Sequence, residues 1–259
     1  MPPSHSGVLD SRRSLSFRGG VALINKYFHS NAPQSVVVNG LTYYLDPLDS
    51  LALSYLTYEP EITELIDKYV TSGSIVVDVG ANIGYHTVFA SKRAKKVVAF
   101  EPEPNNYALL KKNIEANSCE NVTAVNSGLS EAAGTANLHL CESNTGSHSM
   151  VSDGKAVPIS LTTLDDYLHG ERVDFIKMDI EGAEGLALKG MLKTLEKWRP
   201  IVVSEFRPAN IKKSGIDPEW FFKVFNDLGY SIKEIGVPIG KITDDTTHNY
   251  LFLPPQARV

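Results

Sequence analysis

From residue 75 onward the chain alternates apolar runs with helical patterns, and this narrows its fold more than any other feature. Residues 75–79, Ile-Val-Val-Asp-Val, end on Gly80, and a helical pattern follows over 85–93. A second apolar run, 97–100, ends on Glu101-Pro102; helical spacing occupies 105–117, and a third run covers 122–126. A fourth run spans 173–178, with a helix from about Gly182; a fifth spans 201–204, followed by a helix over 218–228 and late runs at 231–235 and 250–253. The runs are nearly continuous in apolar residues, as in strands covered on both faces. Strand and helix in turn call for parallel neighbours and right-handed crossovers. The expectation is an α/β fold: a doubly wound, mostly parallel sheet with helices on both faces.

The flanking segments read differently. Residues 35–39 and 41–45 form a hairpin through Asn39-Gly40, and 60–69 a helix with Ile62, Leu65, Ile66 and Tyr69 on one face. Residues 1–35 are predicted to be a tail outside a single domain over 36–259. Its segment 21–28 can form a short amphipathic helix for the domain, a partner or a membrane surface. The tail carries Ser11-Arg12-Arg13-Ser14-Leu15-Ser16-Phe17, similar to a twin-arginine export signal. The apolar stretch after it is cut short by Asn25 and Lys26.

Between the third and fourth runs, 135–141 and 157–161 are strand-like and flank a polar loop over 142–155. A loop that long in a compact fold is usually functional or disordered. The insertion around 130–162 is therefore read as a lid or acceptor loop. No apolar run can span a bilayer. With 42% apolar residues the chain can build a core, and a net charge of −5 gives no nucleic-acid surface. Cys119 and Cys141 have neither disulfide-framework nor metal-type spacing. They suit a reducing compartment, and the expected location is cytoplasmic. Oligomeric state is not legible.

Ligands of open α/β sheets bind beyond the carboxyl ends of the strands. The first strand ends Asp78-Val79-Gly80-Ala81-Asn82-Ile83-Gly84, so Gly80 and Gly84 bracket a turn that opens a helix. Asp78, an acid in an apolar strand end, needs hydrogen-bond donors, either loop amides or a ligand's ammonium. Glu101 follows 23 positions later and can accept both ribose hydroxyls of an adenosine. A nicotinamide cofactor wants glycine at the position of Asn82, where the backbone meets a pyrophosphate. S-adenosylmethionine has no pyrophosphate, and its amino-acid end can bond Asn82 and the loop amides. Pro102 flanks Glu101. Asn126 and Ser127 end the third strand toward the adenine edge, or are a plain strand exit. Glu59, in Tyr58-Glu59-Pro60, can reach the cofactor's ammonium or simply start a helix.

The fourth strand ends Ile176-Lys177-Met178-Asp179-Ile180-Glu181-Gly182-Ala183-Glu184. Lys177 and Asp179 interrupt an apolar run and share a face. Charges at the ligand edge are costly unless paired or used. Asp179 can orient an acceptor or take its proton. Lys177 can keep Asp179 ionised or polarise the acceptor hydroxyl; a plain salt bridge with helix-capping acids is the alternative. Glu205 ends the fifth strand on the same edge, as an acceptor contact or a partner of Arg207 or Lys177. With Asp179 and Glu181 it makes an oxygen-only set that could take Mg²⁺; no metal is predicted. His148, in the polar loop, could be a base if the loop closes, ranked below Asp179.

Together these segments resemble the FkbM-type S-adenosylmethionine-dependent methyltransferases. The resemblance rests on Tyr58-Glu59-Pro60, the turn from Val77 to Tyr85, Phe100-Glu101-Pro102, and the Lys177-x-Asp179-x-Glu181-Gly182-x-Glu184 run. It implies a seven-stranded sheet with one antiparallel strand, as in class I methyltransferases. It also implies O-methylation of a hydroxyl on a sugar, polyketide or related small molecule, with a small-molecule or glycan acceptor. A NAD-dependent oxidoreductase and a non-catalytic methyltransferase-like binding module are the other readings.

Overall fold

The computed structural model describes residues 34–56, 58–141, 144–236 and 247–255. The predicted helix over 21–28 and the arginine pair lie outside them.

Strands β1 (Ser35–Val38) and β2 (Leu41–Tyr44) pair antiparallel with Val38 opposite Leu41. The two-residue turn puts Asn39 and Gly40 at φ 52° and 77°, the double positive φ that a hairpin of this length selects. Helix α1 (Pro60–Tyr69) starts on proline and buries Ile62 and Ile66. Then come β3 (Ile75–Val79), α2 (Tyr85–Ser91), β4 (Lys96–Phe100), α3 (Pro104–Ala116) and β5 (Val122–Val125). The insertion supplies β6 (Gly128–Leu129), β7 (Gly134–His139) and β8 (Ala156–Thr162), followed by α4 (Leu164–Leu168). The chain returns through β9 (Phe175–Met178), α5 (Glu184–Lys189), α6 (Leu192–Trp198), β10 (Ile201–Phe206), α7 (Pro208–Lys213), α8 (Pro218–Asp227), β11 (Ser231–Ile235) and β12 (His248–Leu253).

The main sheet has seven strands in the order β11-β12-β10-β9-β3-β4-β5. Neighbours from β10 to β5 pair parallel, while β12 runs antiparallel between β10 and β11. The sheet is doubly wound and Rossmann-like, with the single antiparallel strand that the family resemblance implies. From β3 the chain winds outward through β4 to β5, then crosses to β9 on the other side of β3. The switch point lies between β3 and β9, where a ligand crevice opens at their carboxyl ends.

Successive residues of a strand serve opposite faces. Val77, Val79, Ile176, Met178 and Val202 pack with Leu188, Leu195, Phe221 and Phe225 on one side. Val76, Phe175 and Val203 pack with Ile62, Ile66 and Phe89 on the other. Asp78, Lys177 and Glu205 fall on this second face by the same period, at the strand ends where the apolar cover stops. Complete burial of Phe221 and Phe225 is worth about 1.5–3 kcal/mol each.

The described residues of the insertion form regular structure. β8 pairs parallel with β6 and antiparallel with β7, in a three-stranded sheet of its own. The expected polar loop contains a 3₁₀ turn, Thr145–Ser147, held at several points. Thr145 N–H donates to Ser50 Oγ at 2.9 Å, Asn106 Nδ2 to Thr145 O at 3.1 Å, and Ser149 Oγ to Glu181 O at 2.7 Å. Helices α4, α6 and α7 and strand β6 were missed by the apolar pattern.

Candidate active site

A cavity of about 820 Å³, counting the space at its open mouth, lies at the switch point. Val79, Gly80, Ala81 and Asn82 line it from the β3 turn, Phe100, Glu101 and Pro102 from β4, and Lys177, Asp179, Ile180 and Glu181 from β9.

The β3 turn is tightly determined. Gly80 sits at φ 77°, and a Cβ there would lie 2.0 Å from the Asp179 carbonyl oxygen, so no larger residue fits. Gly84 sits at φ 90° against Leu110. The turn's amides are all used internally. Gly80 and Ala81 N–H donate to Phe100 O at 3.0 and 2.9 Å, Asn82 N–H to Glu101 Oε2 at 2.7 Å, Ile83 N–H to Asn82 Oδ1 at 2.7 Å, and Gly84 N–H to Ala81 O at 2.8 Å. With every N–H from Gly80 to Gly84 paired within the protein, these loop amides are not spare donors for a pyrophosphate.

Glu101 is fixed by two backbone donors, Asn82 N–H and Glu103 N–H at 2.9 Å to Oε1. Burial pushes its carboxyl up to about 7, against the pull of those bonds. Each oxygen keeps a lone pair for a further donor. Asn126 Nδ2 braces the carbonyls of Glu101 and Pro102 at 2.9 and 3.1 Å, and Ser127 Oγ bonds Ser160 O at 3.0 Å. Both therefore support the wall rather than line it. Leu129, Leu138 and Ile159 complete an apolar slot beside Pro102.

Asp78 does not face the ligand space. It is 2% exposed; its Oδ2 accepts from Thr87 Oγ1 at 2.5 Å, and its Oδ1 lies 3.6 Å from Lys177 Nζ. Lys177 also donates to Gly80 O at 3.1 Å. Burial opposes its charge, but Asp78, Asp179, Glu59 and Glu205 outweigh that and raise its pKa, so it stays protonated. Lys177 thus ties the cofactor-type turn to the acidic edge.

Asp179 and Glu181 line the cavity, and Glu205 stands buried behind them. One carboxylate oxygen from each comes within 4.8 Å of the others, a set able to hold a hard divalent cation. Arg207, 3.8 Å from Glu181, supplies positive charge to the same cluster. Glu184 is spent on structure: its oxygens accept from Ile180 N–H at 3.0 Å and Gly182 N–H at 2.9 Å.

His148 reaches the cavity wall, but its Nδ1 accepts from Cys141 N–H at 3.0 Å. The neutral ring's proton then sits on Nε2, making His148 a donor rather than the base expected of it. Burial also lowers its pKa, against Glu103 and Asp46. Glu59 is held in the left-handed region at φ 40° and bonds His86 Nε2 at 2.9 Å. The lining residues His86, Asn106 and Met150 escaped the sequence reading. In sequence His86 is one polar residue in a helix start, and only its contact with Glu59 marks it.

The FkbM methyltransferase domain matches this chain over residues 78–232, from the β3 acid into β11. Methyltransferase sdnD of Sordaria araneosa is 27% identical over 225 residues, covering 71% of this chain and 85% of its own. The hexuronic acid methyltransferase AglP of Haloferax volcanii is 26% identical over 177 residues, covering 67% and 70%. Among solved structures, the methyltransferase FkbM of Methylobacillus flagellatus KT is 18% identical with a TM-score of 0.48. That match covers 89% of this chain and 52% of the other, so this chain spans about half that protein's length. The matched domain takes in more than half of the sequence, the glycine turn and the acidic edge included: the chain belongs to the FkbM methyltransferase family.

Proposed function

We propose that this methyltransferase uses S-adenosylmethionine and transfers its methyl group to a hydroxyl oxygen of a sugar, polyketide or related small molecule. The observation that carries the reading is the pairing of Asn82 N–H with Glu101 at 2.7 Å across one cavity. It holds Glu101 where, once ionised, its carboxylate can accept from the two hydroxyls of a ribose, beside a turn whose amides from Gly80 to Gly84 are already paired. The donor set fits an adenosine with a sulfonium and an amino-acid end, and does not fit a dinucleotide.

When bound, S-adenosylmethionine supplies an electrophilic methyl group. The chain's own residues do the rest. Glu101 holds the ribose, and Phe100, Pro102, Leu129 and Ile159 give an apolar slot for the base. Asp179, at the end of β9, orients the acceptor hydroxyl and takes its proton. Lys177 stays protonated beside the carboxylates. Thr145, Gly146, His148 and Met150 line the cavity from the insertion. Most of the rate comes from holding two reactants in line. The relative that methylates a hexuronic acid supports a sugar-type acceptor. No helix among the described residues is long and apolar enough to cross a membrane.

The test is methyl transfer from methyl-labelled S-adenosylmethionine to a panel of uronic acids, hexoses and hydroxylated polyketides. Label in an ether-linked methyl supports the reading. Label found only in N-methyl products, or none across the panel despite cofactor binding, would overturn it.

A further inference from the structure

The amino-acid end of S-adenosylmethionine carries an ammonium and a carboxylate, and both need partners in a closed site. The turn that should face this end has its amides committed from Gly80 to Gly84. Asp78, the nearest acid in sequence, is committed to Thr87 and Lys177. The ammonium needs an acceptor, and an unspent one lies on the same wall.

His86 stands there. It lies two residues beyond Gly84, is 4% exposed, and lines the cavity with Ala81, Asn82 and Tyr85. Its Nε2 bonds Glu59 at 2.9 Å, and its buried Nδ1 has no hydrogen-bond partner among the described residues. An ionised carboxylate only accepts, so Glu59 places the neutral ring's proton on Nε2. Nδ1 is left with a lone pair that calls for a donor. The ring is held between Tyr58, 5.7 Å away, and Tyr85, 5.1 Å away, so this lone pair has a fixed direction. Glu59 adds negative charge behind it and suits a cationic donor.

We infer that His86, oriented by Glu59, receives the ammonium of the cofactor's amino-acid end on Nδ1. This rests on the cofactor reading above and adds a positioning pair to it. Glu59 acts through His86, and not by touching the ligand.

Two ligands separate this role from a structural one. S-adenosylhomocysteine has the amino-acid end; 5′-methylthioadenosine is the same thionucleoside without it. Calorimetry on the full chain should show His86→Ala weakening S-adenosylhomocysteine by about 10–100-fold, the loss expected for one charge-assisted hydrogen bond. Binding of 5′-methylthioadenosine should stay within about twofold. Glu59→Gln, which keeps volume but lets the tautomer reverse, should show the same selective loss. Equal weakening of both ligands in both variants would make the pair structural and overturn the inference, as would unchanged binding of both. Wild-type protein that binds neither ligand would remove the cofactor reading and the inference with it, and the wild-type titration alone identifies that case.

Discussion

Lys177 and Asp78 face each other across β9 and β3, with Nζ 3.6 Å from Oδ1 and both side chains buried. Removing Lys177 leaves Asp78 a buried carboxylate with only the Thr87 hydroxyl against it. Lys177→Met is expected to cost about 3–5 kcal/mol of stability, while the double variant Asp78→Asn, Lys177→Met costs clearly less than the sum of the two single changes. Chemical unfolding of the four proteins measures the coupling. Additive losses would mean that the pair is not a unit.

Glu101 must be ionised to accept from two ribose hydroxyls, and burial holds its pKa at about 7. S-adenosylhomocysteine affinity should therefore rise as pH climbs through 7 and level off above it. Glu101→Gln should weaken binding by about tenfold or more at pH 8 and flatten the dependence, as an amide offers one acceptor oxygen in place of two. Titrations at pH 6 and pH 8 check both effects.

Asp179 lines the cavity at the end of β9. Asp179→Asn should leave S-adenosylhomocysteine affinity within a few-fold and lower turnover roughly 100-fold, the scale of a lost general base. Initial rates on the best acceptor, beside a binding titration, make the comparison. An unchanged rate would exclude Asp179 from the chemistry.

Glu184 titrates for a structural reason. Burial raises its pKa from 4.5 to about 7, against its bonds from Ile180 and Gly182. Between those pH values the folded chain binds more protons than the unfolded one, so this group's contribution favours folding at the acid end. It declines as pH rises from about 4.5 to about 7 and is flat above. Relative to wild type, Glu184→Gln should then look more stable at pH 8 than at pH 5. Denaturant unfolding at the two pH values tests the sign.

The parallel sheet was readable because its strands are continuous apolar runs separated by helical spacing, and the seven-stranded order with one antiparallel strand agrees with the family expectation. The 4-residue hairpin strands were readable from Asn39-Gly40. The short helices α4, α6 and α7 were not, since five to seven residues give too little periodicity to register. At the site, glycines and strand-end acids announce themselves by breaking an apolar pattern, and Gly80, Glu101, Lys177 and Asp179 all line the cavity. What each one touches depends on contacts distant in sequence. Asp78 points at Lys177, His148 spends Nδ1 on Cys141, and Glu59 meets His86, 27 residues away. No local pattern encodes those pairings.

Use of S-adenosylmethionine is tested by calorimetric titration of the purified protein with S-adenosylmethionine, S-adenosylhomocysteine and NAD, with and without Mg²⁺. Saturable binding of the two sulfur nucleosides and none of NAD is the predicted result, because the turn from Gly80 to Gly84 has no free amide for a pyrophosphate. NAD binding, or no binding by any of the three, would contradict the account.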